Sequence, residues 1–576
     1  MKSGKPQHRV LAMSLVAVVA GVAFAASLSA GGAGASLKYK EYPRAQSLVT
    51  FGTQYGDFQG FNPFTDAYAT GTVELCNETL LRYDPLKDRY INWLARSARF
   101  TANRVYTVKV RPGVKWSNGQ PFTGADVAFN IKLGRFSTAF WHDLYGSLKS
   151  IKAKGLTVTF TFKNTPNYVQ WQHLVWNLPM ANPRQARTIK SSASLTAYDP
   201  SDPIGTGPYK LDIAGYDQAV RVVWRKKADW WAAAQKIAPS PKPTYIVGLN
   251  NSLNVNALAA LLIGSEDLTN NYLPGIENSV KQGKAQTYYS APPYHLSRST
   301  AWLTPNVTHK PLSDPVFRKA LATAINVKKI VATDYGNLVL RASPTGLLPI
   351  WKKWIDNSLV SSKGFSYGTT RAVAMLRGAG YPESGGYFRN KDGSAIDLTI
   401  EVPTGWSDWE SAETIIVSSA DAAHIKIHAV EGDYDAYERD LTRGTFDLVI
   451  DSSAEMSDNP WTYFDFLFHL PIHSSQTSAN FSRYSNVRAW SLVEKLAKTP
   501  PGKTTARKSI MNQLEKTVLT DVPNIPLWYS GIWAQSQSKY WTNWPSSTSK
   551  RNYLPCMWRG YMQMTGIDMI THLEPS

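Results

Sequence analysis

Ser366 sits in Gly364-Phe365-Ser366-Tyr367-Gly368, the G-x-S-x-G spacing with which hydrolases expose a nucleophile between a buried strand and a helix. The stretch before it, Asn357-Ser358-Leu359-Val360-Ser361-Ser362-Lys363, is too polar for that strand. His424 and His428 stand at i and i+4 and could share a helix face as metal ligands. His469 and His473 repeat the spacing, but Pro471 between them argues against a helix. No H-E-x-x-H is present, and with 2 Cys the chain is too poor in thiols for thiolate sites. Paired carboxylates for glycoside cleavage meet only in a fold, and nothing in the pattern calls for them. No catalytic residue and no metal ligand is assigned, and no cofactor is expected.

What the chain has in quantity is aromatic surface: 20 Trp and 29 Tyr, with aromatic content of 12%. Such side chains bury much area for little ordering cost, so they serve either a large β-rich core or a ligand surface.

A length of 576 residues requires two or three domains. Hydrophobic content of 43% against 18% charged describes a globular chain. The net charge is +19, yet Lys and Arg are scattered and no nucleic-acid motif appears. No nucleic-acid partner is expected; the basic balance suits solubility and attraction to an anionic envelope. Lys2, Lys5 and Arg9 precede the apolar run Val10 to Leu28, and Ala33-Gly34-Ala35 offers a cleavage site, with Ala23-Phe24-Ala25 as an earlier one. Residues 1–35 therefore read as a secretory signal. No Cys follows it to take a lipid, which leaves either a free extracytoplasmic protein or one held by an uncleaved N-terminal helix. Cys76 and Cys556 could pair or remain separate core thiols.

The elements follow from local signals. Tyr106, Val108 and Val110 alternate with Thr107, Lys109 and Arg111, which predicts a strand. Ser117-Asn118-Gly119 is a turn, and Thr123 with Asp126 forms a capping box for a helix. Further strands are expected near 47–51, 156–162, 219–224, 244–249, 396–402 and 446–450. Helices are expected over Thr70 to Leu81, Asn254 to Ile263 (stopped by Gly264), from Ser313-Asp314-Pro315, over Ala372 to Leu376 and over Ile415 to Ile425. The tail after residue 525 is loop-rich and aromatic, with Trp528, Trp533, Trp541, Trp544 and Trp558. Alternating strands and helices predict an α/β fold.

Tyr106 to Val127, running through Trp116-Ser117-Asn118-Gly119 and Phe122-Thr123-Gly124-Ala125-Asp126-Val127, resembles a signature of the extracytoplasmic solute-binding proteins of ABC importers, in the oligopeptide, nickel and oligosaccharide class. Arg318-Lys319-Ala320-Leu321-Ala322-Thr323-Ala324-Ile325-Asn326 is similar to that family's R-x-A-L-x-x-A-I-D/N helix, and Ala374 to Tyr381 to its A-x-L-L-x-x-A-G-Y segment. Gly205-Thr206-Gly207-Pro208-Tyr209, Gly444-Thr445-Phe446-Asp447 and Pro523-Asn524-Ile525-Pro526-Leu527-Trp528 follow the same order. The resemblance implies a two-lobed clamshell with mixed sheets, an extra domain and one discontinuous lobe. Lobe I would take residues 36–88, 205–289 and 525–576, the extra domain 89–204, and lobe II 290–524. It implies a monomeric receptor that closes on a small-molecule ligand, an oligosaccharide or an oligopeptide, and presents it to the permease's membrane subunits.

Peptide-binding relatives hold the ligand's ammonium with an Asp in a D-Y-x-D-P segment. Here Ala454-Glu455-Met456-Ser457-Asp458-Asn459-Pro460-Trp461 puts Met456 at that place, and Glu455 substitutes only with a one-residue shift. Pro403-Thr404-Gly405-Trp406-Ser407-Asp408-Trp409 resembles the G-W-T-D-W segment of cello-oligosaccharide and related sugar binders, and Ser343 to Pro349 followed by Trp351 and Trp354 is also similar to that subgroup. Indole planes stack on pyranose faces while Asp and Asn satisfy hydroxyls. Trp406, Trp409 and Trp461 are therefore the expected stacking residues, with Asp408 and Asn62 as hydroxyl partners. An oligopeptide receptor, and a secreted polysaccharide hydrolase, are the rival readings.

Overall fold

The computed structural model describes residues 40–576 apart from 55, 66–67, 139, 252, 551 and 558–564; the signal segment 1–35 and Trp558 lie outside the described residues. The alternation read from the sequence becomes the strand Val105–Val110, with Tyr106, Val108 and Val110 fully buried. It pairs with Ala95–Ala102 and Thr157–Phe162, and Leu148–Lys154 completes an antiparallel four-stranded sheet. The helix Gly124–Lys132 starts on the expected Thr123–Asp126 capping box and packs on the sheet.

A six-stranded sheet runs in the order Gln535–Ser536, Leu268–Thr269, Ser47–Thr53, Tyr245–Asn250, Arg221–Lys226, Tyr209–Leu211. Its inner strands Ser47–Thr53, Tyr245–Asn250 and Leu268–Thr269 are parallel. A five-stranded sheet runs Ile427–Gly432, Leu398–Pro403, Leu448–Asp451, Ser297–Pro305, Ile525–Gly531, and its first three strands are parallel. Ile525–Gly531 thus belongs to the five-stranded sheet, and the chain reaches the six-stranded one at Gln535 rather than at 525. The mixed sheets and their helices make the expected α/β fold.

Local signals fixed several helix ends. Gly264 takes the left-handed conformation after Asn254–Ile263, and the Asp314 carboxylate accepts from the Val316 N–H ahead of Pro315–Ala324. On the same helix Arg318 is buried and donates to the carbonyls of Leu312, Asp521 and Val522, which explains a charged residue inside an otherwise apolar face.

Other expectations are corrected. Thr70 to Leu80 is a buried run of turns and isolated bridges, and Leu81 opens the strand Leu81–Asp84, so no helix forms here. Gly71 and Glu74 have φ of 94° and 89°, which no right-handed helix accommodates. Leu75 and Cys76 instead spend their carbonyls on the N–H groups of Tyr209 and Gly207, at 2.9 and 2.8 Å. A Cβ on Gly205 would meet the Cys76 carbonyl oxygen at 1.9 Å, so glycine is required there. The helix expected from Ile415 begins earlier, at Ser407, and ends at Asp421. His424 then occupies a left-handed turn (φ 60°) and His428 a strand, so they share no helix face. Each pairs with its own acid: His424 with Glu383 at 3.6 Å, His428 with Asp397 at 2.7 Å. Ser366 lies after a helix, Asn357–Lys363, not after a strand, and its hydroxyl accepts from Arg371. Cys76 and Cys556 are buried thiols, not a disulfide.

Candidate functional site

Parallel strands deliver all their following loops to one end of a sheet, where open α/β sheets place ligand sites. Two sheets do so here around one cavity of about 1380 Å³. Gln54, Asn254 and Asn270 follow the parallel strands of the six-stranded sheet and line it. From the five-stranded sheet come Gly405 to Trp409 after Leu398–Pro403, Tyr434 after Ile427–Gly432, and Ser452 to Ser457 after Leu448–Asp451. A third wall belongs to the helices Phe140–Gly146 and Tyr168–Asn177, which contribute Phe140, Asp143, His173 and Asn177.

Four of the residues expected from sequence line this cavity: Trp406, Asp408, Trp409 and Trp461. Trp406 precedes the helix Ser407–Asp421 and is partly exposed. It stacks on Tyr434 with centroids 5.7 Å apart and planes 23° apart, and meets Trp409 edge-on at 4.6 Å. Gly405 carries a φ of 85°, and its N–H donates to Glu410 at 2.6 Å, which fixes the turn presenting Trp406. Trp409 and Trp461 are each only 6% exposed, and Trp461 donates its indole N–H to the Val493 carbonyl at 3.1 Å. These two line the cavity while lying mostly in the core. Asp408 accepts from the Tyr335 hydroxyl at 2.9 Å, and desolvation raises its carboxyl above the ordinary range.

Asn62 is elsewhere. Its amide donates to the carbonyls of Leu195 and Thr196 at 2.8 and 3.0 Å, and its oxygen accepts from the Phe64 N–H at 3.0 Å. It braces a loop and lines no part of the cavity. The residues that sequence reasoning missed are Tyr434, His173 and the carboxamides of Gln54, Asn254 and Asn270. The signal was positional: each carboxamide stands just past the end of an apolar strand.

Most charged groups of the wall already have protein partners. Arg298 binds Glu455 through both Nε, at 3.1 Å, and Nη2. Asp465 lies 3.2 Å from His469, and this hydrogen bond raises the imidazole above its ordinary value. Asp458, beside the cavity, meets His173 at 3.7 Å and accepts from the Tyr90 hydroxyl at 2.6 Å. Asp143 is exposed at the rim.

This architecture is that of the two-lobed periplasmic binding proteins. Residues 89–473 match the model of the bacterial extracellular solute-binding proteins, family 5 Middle, and the chain belongs to that family, a class of ABC-transporter substrate-binding proteins. A crystal structure of a periplasmic oligopeptide-binding protein of an oligopeptide ABC transporter from Thermotoga maritima superposes with a TM-score of 0.88. It is 30% identical and covers 93% of this chain and 100% of its own. The same Thermotoga protein bound to mannohexaose superposes at 0.82 with equal coverage and identity. Among curated relatives, a "Probable ABC transporter-binding protein" from Deinococcus radiodurans is 22% identical, over 65% of this chain and 66% of that protein. A glutathione-binding protein, GsiB, from Pectobacterium atrosepticum is 30% identical, over 51% of this chain and 54% of that protein. The chain thus spans between half and two thirds of the length of these curated relatives. No helix among the described residues is long and apolar enough to cross a membrane.

Proposed function

We propose that the chain captures an oligosaccharide in this cavity and delivers it to the membrane subunits of an ABC importer. The six-stranded sheet is the base of lobe I, the five-stranded sheet the base of lobe II, and the four-stranded sheet the extra domain. One observation carries the reading. The Trp406–Tyr434 platform, from the five-stranded side, shares a cavity with the neutral carboxamides of Gln54, Asn254 and Asn270 from the six-stranded side. Stacking serves the apolar faces of pyranose rings, and carboxamides donate to and accept from hydroxyls without requiring ligand charge. Trp406 is the principal stacking residue, Trp409 and Trp461 complete its apolar flank, and Asp408, in the same wall, is the hydroxyl partner. A ligand touching both sides stabilises the closed form by its differential affinity, and changes no covalent bond.

A second reading, an oligopeptide receptor, is favoured by the Arg298–Glu455 pair in the wall. Opened, that pair would offer a carboxylate to a peptide's ammonium and a guanidinium to its carboxylate. Thermal unfolding with manno- and cello-oligosaccharides against di- to pentapeptides separates the two. Sugars at 100 times Kd should stabilise by about 2.7 kcal/mol. A rise with peptides alone overturns the sugar reading, and cleavage of either would overturn both.

A further inference from the structure

The four-stranded sheet covers its inner face with the helix Gly124–Lys132 and leaves its outer face to solvent. The register puts Ser97, Lys109, Thr157 and Lys154 in one row across that outer face, and Arg99, Thr107, Thr159 and Lys152 in the next. Val105, Thr161 and Ser150 follow, with Thr101 bonded to Thr107 at 3.1 Å. No acid stands among them. Residues 95–110 and 148–163, which make the two hairpins, hold eight Lys or Arg and no Asp or Glu. Arg99, Lys109, Lys152 and Lys154 are exposed, and none has an ion-pair partner among the described residues.

Four unpaired cations on one face repel one another and gain nothing from the fold, so their favourable partner lies outside it. The face is broad: strands ~4.8 Å apart and residues ~3.3 Å apart give roughly 15 by 20 Å. Its hydroxyls add donors for phosphate oxygens between the cations. Phe100, Tyr106, Phe160 and Phe162 all turn inward, so the face offers no ring on which nucleic-acid bases stack. It also lacks the apolar anchors that mark the centre of a protein interface. We propose that this face docks the protein on the anionic phospholipid headgroups of a bilayer. That surface is planar, phosphate-bearing and dense enough to meet several cations at once. Docking would hold the receptor close to the membrane in a fixed orientation, independently of what the cavity binds.

The test is flotation of the full chain with phosphatidylcholine vesicles with and without phosphatidylglycerol, at low salt and at 0.15 M, where screening acts over about 8 Å. The ratio of binding with and without the anionic lipid isolates the electrostatic part from any apolar insertion. The wild type should prefer the anionic vesicles, and the variant R99Q/K109Q/K152Q/K154Q should lose at least about tenfold of that preference. The variant K328Q/K352Q/K495Q/K516Q, of equal net charge and altered on other exposed surface, should retain it. Circular dichroism melting confirms that each is folded. A more severe variant, R99E/K109E/K152E/K154E, should abolish the preference. Equal losses in the two glutamine variants, no preference in the wild type, or binding to soluble polyphosphate but not to vesicles would overturn the proposal.

Discussion

His173 and Asp458 bridge two walls of the cavity, the imidazole Nδ1 lying 3.7 Å from the carboxylate Oδ1. His173 comes from the helix Tyr168–Asn177, and Asp458 from the loop that leaves the five-stranded sheet before Trp461–Phe468. The opposite face of the same carboxylate takes the Tyr90 hydroxyl at 2.6 Å, and the Ser457 hydroxyl adds a contact at 3.0 Å. Burial alone would raise Asp458, but His173, Tyr90 and Ser457 outweigh it and hold the carboxyl below its ordinary 3.8. A carboxyl lowered by folding stabilises above its unfolded value, and the benefit disappears as pH falls through the folded one. Asp458→Asn should therefore cost about 1–3 kcal/mol at pH 7. The gap between wild type and variant should close below about pH 4, as read by thermal unfolding across pH.

The tryptophans of the site should respond differently to truncation. Trp406 is partly exposed and rests on Tyr434, so Trp406→Ala should leave the melting temperature nearly unchanged. Oligosaccharide binding, followed by calorimetry, should weaken about tenfold or more, which is about 1.4 kcal/mol. Trp461 is 6% exposed and hydrogen-bonded to Val493. Trp461→Ala should destabilise by about 3–5 kcal/mol whatever it does to binding. Equal effects of both variants on stability would remove the distinction between platform and core.

Local physics decided what the sequence could reveal. The Thr123–Asp126 box, Gly264 and Asp314-Pro315 act within a turn of themselves, and each marks a helix end where expected. Trp406 and Asp408 were legible because one short segment supplies the strand end, the left-handed Gly405 and the helix start. The conformation of Thr70 to Leu81 was not, because it is imposed by Gly205 and Gly207 from a distant segment. His173 was invisible for the same reason: nothing near it in sequence announces Asp458. Asn62 failed differently. An Asn beside an aromatic loop serves hydroxyls or backbone carbonyls equally well, and only the fold decides.

Glu266 is wholly buried, and both its oxygens accept from Asn251 Nδ2, at 2.9 and 3.0 Å. Desolvation pushes its carboxyl from 4.5 to about 8. Between those values the folded chain holds a proton that the unfolded chain has released, so this group's contribution to stability declines as pH rises through the window. Glu266→Gln is neutral at every pH and keeps an acceptor for Asn251. It should match wild type near pH 4.5 and be more stable by about 1–3 kcal/mol at pH 8.5, by differential scanning calorimetry. An unchanged difference across that range would mean Glu266 is ionised throughout.

Glu78 is a second buried carboxyl that desolvation raises above its ordinary range, here partly offset by several donors. The indole N–H groups of Trp93, Trp230 and Trp231 point at it, at 2.9, 3.3 and 2.7 Å. These rings come from the segment entering the four-stranded sheet and from the chain leaving the six-stranded one, so the Glu78 side chain ties the two together. Glu78→Ala would strand three buried donors and should cost at least about 3 kcal/mol. Glu78→Gln keeps one acceptor oxygen and the shape, so it should recover part of that loss. Because Glu78, Trp93, Trp230 and Trp231 line no part of the cavity, ligand affinity of the folded fraction should be unchanged in both variants. A loss of affinity without a loss of stability would instead place Glu78 in the path of lobe closure.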